Sequence, residues 1–281
     1  MEDLPEADRD KDTRKLIETV AKLTCKVTVR NTALDRPKYY PGTTKLYPTH
    51  RGRRHSEMRT GSGVVYFSSG IFRNESSRCC CHDCQEVNDP VVGFTVVYVR
   101  TAKHVVFNTI EATYARFSFK NTPGDKLMEL AGISVVDSDI ESDFSIVECV
   151  THELDAAELF EGIQKEMMRL DTLIRSRSND RKIKISKLAV VVSHPHGWGK
   201  VVSVGESVRK AVTNQTVDDM QTSYSHTSMT CPGSSGGPVV LMDQKEPKVL
   251  KRFLMPHVHS CGEGVQKGFS GQGVSGFVKL T

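Results

Sequence analysis

Short apolar runs separated by turn residues make up most of this chain. Cys25 to Arg30 alternates polar and apolar side chains, the period of a half-buried strand. Thr60 to Phe67, Val91 to Arg100, Tyr114 to Lys120, Ile133 to Val136 and the run opened by Asp143-Phe144-Ser145-Ile146-Val147 read as further strands. Later strands are expected at Leu188–Ser193, Val201–Val204, Val239–Met242, Val249–Met255 and Gly273–Val278. Two segments carry the helical period instead. Lys15 to Leu23 sets Leu16, Val20 and Leu23 on one stripe. Phe160, Ile163, Met167, Leu170 and Ile174 recur at spacings of 3, 4, 3 and 4, interrupted only by Gly162. The plain reading of this helix is packing on its own domain; docking of a partner is the other.

The pattern predicts an all-β protein of two antiparallel units with an amphipathic helix inserted between them. The expected division is a flexible N-terminus over 1–14, then the N-terminal helix and first β unit over 15–150 with an insertion at 68–90. A helical connector over 151–187 and the second β unit over 188–281 follow. The length of 281 residues suits one large domain or two small ones. With 38% hydrophobic and 26% charged residues, a globular protein is expected. The net charge of +4 demands neither nucleic acid nor membrane as a partner. No stretch approaches the roughly 18 apolar residues of a membrane span.

Met1 to Thr13 is acidic and polar, unlike a signal peptide, so a cytoplasmic, reducing setting is expected. There, eight cysteines read as thiols or metal ligands before disulfides. The loop from Asn31 to Arg59 is basic, with Arg51, Arg53, Arg54 and His55. It reads as a solvated loop, or as a contact for an anionic partner or a processing site.

Candidate chemistry concentrates in Cys231-Pro232-Gly233-Ser234-Ser235-Gly236-Gly237-Pro238-Val239-Val240. A packed core has no need of such a Gly/Ser turn running into an apolar strand. A nucleophilic serine does, with the N–H groups of Gly233 and Ser235 placed to meet an oxyanion. A serine hydroxyl needs a base, and the base needs an acceptor that fixes its tautomer. His104 ends a strand in a small-residue context, and Asp143 opens an apolar strand. His194, His196, His257 and His259 are alternative bases, and Asp137 and Asp139 alternative carboxylates. Asp143 alone is followed by the apolar strand start.

These strings resemble the chymotrypsin-fold, trypsin-like serine proteases over about Thr60 to Thr281. Thr101-Ala102-Lys103-His104-Val105-Val106 is similar to that family's histidine motif. Asp143-Phe144-Ser145-Ile146-Val147 is similar to its aspartate motif, and Gly233-Ser234-Ser235-Gly236-Gly237-Pro238 to its serine motif. The order is His104, Asp143, Ser235, at separations of 39 and 92 residues. The intracellular, HtrA-type branch is the nearest in pattern, through Gly61-Ser62-Gly63 and His194-Pro195-His196-Gly197, without a PDZ domain.

The resemblance implies two six-stranded antiparallel β-barrels of chymotrypsin type and a serine endopeptidase. His104 would be the base, Asp143 its orienting partner, Ser235 the nucleophile, and Gly233 and Ser235 the oxyanion hole. Protein or peptide substrates are implied, and no cofactor is required for catalysis. The rival is a catalytically weak or inactive protease-like peptide-binding module.

Departures from the family are informative. Ser234 stands where secreted trypsins carry the Asp that pairs with a freshly cut N-terminus. Val105 stands where they carry a disulfide cysteine. Cys231 matches a cysteine of those enzymes, with Cys261 as its candidate partner, although a free thiol fits the expected compartment. Met229 occupies the position at which trypsins place an acid for Lys or Arg, so cleavage after basic residues is not expected. Thr230 and His259-Ser260-Cys261-Gly262 resemble elements of viral 3C-type proteases and imply Gln or Glu at P1. The alternative is that His259 is an ordinary strand residue.

Cys79-Cys80-Cys81-His82-Asp83-Cys84 holds a Cys-x-x-Cys pair with extra thiols. Zinc takes four soft ligands in a tetrahedron, and Cys79, Cys81, Cys84 and His82 are the candidate set for a structural ion, with Cys80 the alternative third ligand to Cys79 and a distant residue the alternative fourth. An unpaired thiol loop and an oxidisable redox loop remain alternatives.

Overall fold

The computed structural model describes residues 4–52, 58–66, 72–120, 127–180, 186–215, 219–242, 255–257 and 277–279. The chain enters through helix α1 (Lys11–Leu23). Asp10 caps it by accepting from the Asp12 and Thr13 N–H groups, which satisfies two donors that the first turn leaves open. Leu16, Ile17, Val20 and Leu23 form its buried face.

The first β unit contains β1 (Thr24–Val29), β2 (Arg59–Val65), β3 (Phe72–Arg78), β4 (Val92–Thr101), β5 (Ala115–Phe119), β6 (Met128–Asp139) and β7 (Phe144–Thr151). Six of these run in the order β2-β1-β5-β6-β7-β4, and β4 pairs back onto β2 through Gly63↔Thr101, Val64↔Arg100 and Val65↔Val99. That pairing closes a six-stranded antiparallel barrel, which removes its free edges. Strand β3 is appended outside, along β4. Two short helices, α2 (His82–Gln85) and α3 (Thr109–Thr113), decorate the barrel.

After α4 (Ala156–Asp180), the second unit contains β8 (Leu188–Ser193), β9 (Val201–Gln215), β10 (Asp219–His226), β11 (Pro238–Leu241), β12 (Met255–Pro256) and β13 (Phe277–Lys279). Their order is β12-β11-β8-β9-β10-β13, a half-barrel among the described residues. The two-unit, two-barrel architecture of chymotrypsin type agrees with the sequence expectation, as does the helix between the units.

One apolar cluster joins these parts. Leu16, Val20 and Leu23 of α1, Phe160, Met167 and Leu170 of α4, the inner faces of β1, β4 and β5, and Leu188, Val190 and Val192 of β8 belong to it. Strand β8 is buried on both faces, and its alternate residues Ala189 and Val191 pack instead with Val239 and Leu241. Its continuous apolar run is what a two-sided strand requires.

Some elements differ from the sequence pattern. Strand β3 falls inside the expected insertion, and its residues Glu75 to Arg78 are exposed, so no buried face imposes an alternation. Strand β9 runs well past Val204, laddered against the polar run of β10, which the sequence reading did not assign. Helix α4 extends beyond the Phe160–Ile174 stripe at both ends. Of the expected strand Val249–Met255, all but Met255 lies outside the described residues. Among the described residues, Cys25, Cys79, Cys80, Cys81, Cys84, Cys149 and Cys231 are all thiols.

Candidate active site

Strand β4 delivers His104 and strand β7 begins just after Asp143, so the ladder between these neighbours sets the pair face to face. Thr101↔Ser145 is its last rung. Asp143 then holds His104 twice. Its Oδ2 accepts from the ring Nδ1–H at 2.6 Å, and its Oδ1 accepts from the His104 backbone N–H at 2.8 Å. Lys103 N–H donates to Asp143 O at 3.1 Å. Asp143 is buried, and its φ of 53° is a left-handed conformation that an Asp tolerates better than most residues. With Nδ1 carrying the proton toward the carboxylate, Nε2 faces away as an acceptor.

The Gly/Ser turn comes from the other β unit and is locked onto the first one. Ser62 N–H donates to Ser235 O at 2.8 Å, and Ser62 Oγ donates to Gly233 O at 2.8 Å while accepting from His194 N–H at 2.8 Å. Thr101 Oγ1 donates to Ser62 O at 2.7 Å, three residues before His104. Gly236 has φ +86°, and a Cβ there would overlap Ser62 O and Thr101 Oγ1. Gly233 has φ +95°, and a Cβ there would come within 2.7 Å of His194 O and His196 N. Both positions therefore demand glycine, for conformation and for space.

Within the turn, Ser234 N–H bonds Cys231 O, Gly237 N–H bonds Ser234 O, and Gly236 N–H bonds His257 O. The buried Ser234 hydroxyl accepts from Ser193 Oγ at 3.1 Å and from Cys231 N–H at 3.2 Å. At the position where the resemblance places an aspartate, this chain has an internal strut.

The alternative bases have other places. His194 is buried, its Nδ1 lies 3.0 Å from Trp198 O, and burial pushes its pKa down to about 4. His196 donates its backbone N–H to Pro232 O, and His257 exchanges backbone bonds with Gly236 and Gly237. These three lie beside the serine turn in space as well as in sequence, held there by their backbones. Asp139 accepts from Ser142 N–H at 2.5 Å and so closes the β6–β7 turn.

Of the expected specificity residues, Met229 is exposed and Thr230 is half-buried, with an Oγ1 that is sealed from solvent and without a hydrogen-bond partner among the described residues. His259 and Cys261 lie outside the described residues, as do Arg53, Arg54 and His55.

A buried ionic network beneath His104 escaped the sequence reading. Arg36 and Glu111 are fully buried and paired, Nε to Oε1 at 2.6 Å and Nη2 to Oε2 at 2.8 Å. Arg36 Nη2 also donates to His104 O at 2.9 Å. Arg59 adds a second ion pair to Glu111 and donates to Val105 O at 3.0 Å. Burial by itself would raise the Glu111 carboxyl, but the Arg36 hydrogen bond and the two guanidinium charges outweigh it and hold it below its ordinary range. The network fixes the backbone on which the imidazole is mounted. A trace of it was available in the sequence: Asn108 followed three residues later by Glu111 is a helix-start signature, and Asn108 Oδ1 does accept from Glu111 N–H.

Far from this site, Cys79, Cys81, Cys84 and His152 place one ligand atom each within 4.8 Å of one another. The expected fourth ligand, His82, is not among them. Its ring sits 4.8 Å from the Tyr114 ring, and its Nδ1 lies 3.6 Å from Glu86. The reason is the helical turn of α2: His82 is its first residue and projects sideways, whereas Cys81 before it and Cys84 within it face inward. Burial pushes the Cys79 thiol up to about 12.

The trypsin-like peptidase domain family matches residues 88–246, a span that contains His104, Asp143 and Ser235. No curated protein matches the sequence at a significant level. Solved structures with a similar course include the HtrA-type protease AlgW with a tripeptide, at 15% identity and a TM-score of 0.43, covering 95% of this chain and 59% of that one. AlgW with a decapeptide is matched at 14% identity and a TM-score of 0.43, covering 95% and 63%. The serine endoprotease from Yersinia pestis is matched at 14% identity and a TM-score of 0.40, covering 93% and 61%. The chain thus spans about three fifths of the length of these structures.

Proposed function

This chain belongs to the trypsin-like peptidase domain family, and from that premise we propose that it is a serine endopeptidase working through His104, Asp143 and Ser235. The observation that carries the reading is the double hold of Asp143 on His104, with the serine turn strapped by Ser62 to the same end of the first barrel. Ser235 Oγ attacks the scissile carbonyl carbon while His104 Nε2 takes its proton. The imidazolium is stabilised by the Asp143 carboxylate and then protonates the leaving amine. Water repeats the sequence on the acyl-enzyme. The N–H groups of Gly233 and Ser235 receive the oxyanion. The substrate chain adds as a strand to an edge of the second β unit. No metal enters these steps.

Gln or Glu at P1 belongs to the same reading, through Thr230 and His259. Thr230 Oγ1 supports it: this buried hydroxyl has no hydrogen-bond partner among the described residues, and such a group gains from a ligand that brings a polar partner.

A fluorophosphonate probe on the purified chain tests the enzyme. Wild type should label, and Ser235→Ala and His104→Ala should not. A folded wild type that fails to label would replace this reading with a latent oxyanion hole or a peptide-binding module. Peptide-library profiling then tests P1, and a profile without Gln or Glu enrichment would remove the specificity assignment while leaving the enzyme.

A further inference from the structure

We propose that Cys79, Cys81, Cys84 and His152 bind one structural zinc ion that pins the far ends of the two strands carrying the His104–Asp143 pair. The ligands converge from two remote stretches of chain. Past β3 the burial alternates as in an extended segment, with Cys79 and Cys81 buried and Cys80 exposed, and the backbone at Cys81 is extended. The single turn of α2 then brings Cys84 round to the same side. Cys79 N–H donates to Val91 O at 2.8 Å, which ties this segment to the start of β4. His152 follows directly on the last residue of β7, and Thr151 is paired with Thr95 of β4.

The dimensions suit zinc. Bonds of about 2.3 Å to sulfur and 2.0 Å to nitrogen put the corners of a tetrahedron roughly 3.5–3.8 Å apart. His152 Nε2 lies 3.4 Å from Cys84 Sγ and 4.0 Å from Cys81 Sγ. Cys81 N–H also points at Cys79 Sγ at 3.4 Å, a donor that supports a thiolate in an outer shell. Three thiolates and an imidazole are a soft set that selects zinc over calcium or magnesium, and four protein ligands leave no open position for catalysis. An apolar wall of Phe94, Val96 and Val150 shields the cluster.

Its location gives it a task. Strand β4 runs from Val92, beside the cysteines, to Thr101, beside His104, and β7 runs from the residue after Asp143 to the residue before His152. The ion would sit roughly 30 Å from the catalytic pair along the strand rise, clamping β3, β4 and β7 where β3 has no second neighbour among the described residues.

The test is elemental analysis of the full chain purified without chelator, with Co(II) added to metal-stripped protein as an optical probe. About one zinc per chain is expected, together with the visible bands of tetrahedral thiolate-bound Co(II). His152→Ala and Cys81→Ser should retain metal against a competing chelator about tenfold or more less well, and Cys80→Ser should behave as wild type. His152→Ala changes an exposed side chain and so keeps the comparison open if Cys81→Ser fails to fold. Stripping should lower Tm, while the folded fraction still reacts with the fluorophosphonate probe. Protein that holds no zinc and gives no Co(II) bands would overturn the proposal. So would a disulfide among the three cysteines, or undiminished metal retention in His152→Ala.

Discussion

Asp143 and Glu111 are both buried carboxylates, and both hold the same histidine, one by the ring and one by the backbone beneath it. Asp143 acts on His104 directly. Glu111 acts through Arg36, whose guanidinium reaches His104 O. Removing one charge from such a network leaves the others buried and unpaired. Glu111→Gln should therefore lower stability by about 3–5 kcal/mol, measured by denaturant unfolding. The wild-type network should also shape the acid limb. The folded-state pKa of Glu111 lies below its ordinary 4.5. Its stabilisation is thus fully present above that value and is lost as pH falls below it, through the lowered folded-state pKa. A wild-type protein and Glu111→Gln that lose stability in parallel below pH 4.5 would contradict this. None of Arg36, Arg59 or Glu111 stood out in the sequence as a group, because buried ion partners are set by three-dimensional contact between residues as much as 75 positions apart.

Helices α1 and α4 show how far periodicity goes at the level of elements. The 3–4–3–4 spacing marked α4, and its stripe does supply Phe160, Met167 and Leu170 to the core. What covers that stripe was not written in it: α4 packs on α1, and Lys15 pairs with Glu166 and Arg177 with Asp12 across the contact. Leu170→Ala should cost about 2–5 kcal/mol in unfolding free energy, with fluorophosphonate labelling of the folded fraction unchanged. A loss of labelling at unchanged stability would mean that α4 serves the site rather than the core. Strands β3 and β10 were missed for a common reason. Their sequences are polar, and a strand that gains its place by backbone pairing to a neighbour needs no apolar alternation of its own.

Across the whole molecule, the proposed site exists only where the two β units meet. The Ser62 hydroxyl bridges that junction, donating to Gly233 O and accepting from His194 N–H. Ser62→Ala should lower kcat/KM by about tenfold or more, the equivalent of roughly 1–2 kcal/mol of lost hydrogen bonding, with Tm moved only slightly. An unchanged kcat/KM would show that the turn holds itself without the strap. The sequence by itself determined the alternation of short strands, the two-unit plan, the helical insertion and the strings around His104, Asp143 and Ser235. Each of these is a local property, carried by contiguous residues whose period or turn chemistry is set by neighbours in the chain. Tertiary structure alone decided the rest. Closing the barrel through β2 and β4, seating Arg36 under His104, strapping the serine turn with Ser62 and choosing His152 over His82 all join residues far apart in sequence. Such choices depend on which backbones pair and which side chains are desolvated together, and no local pattern records them.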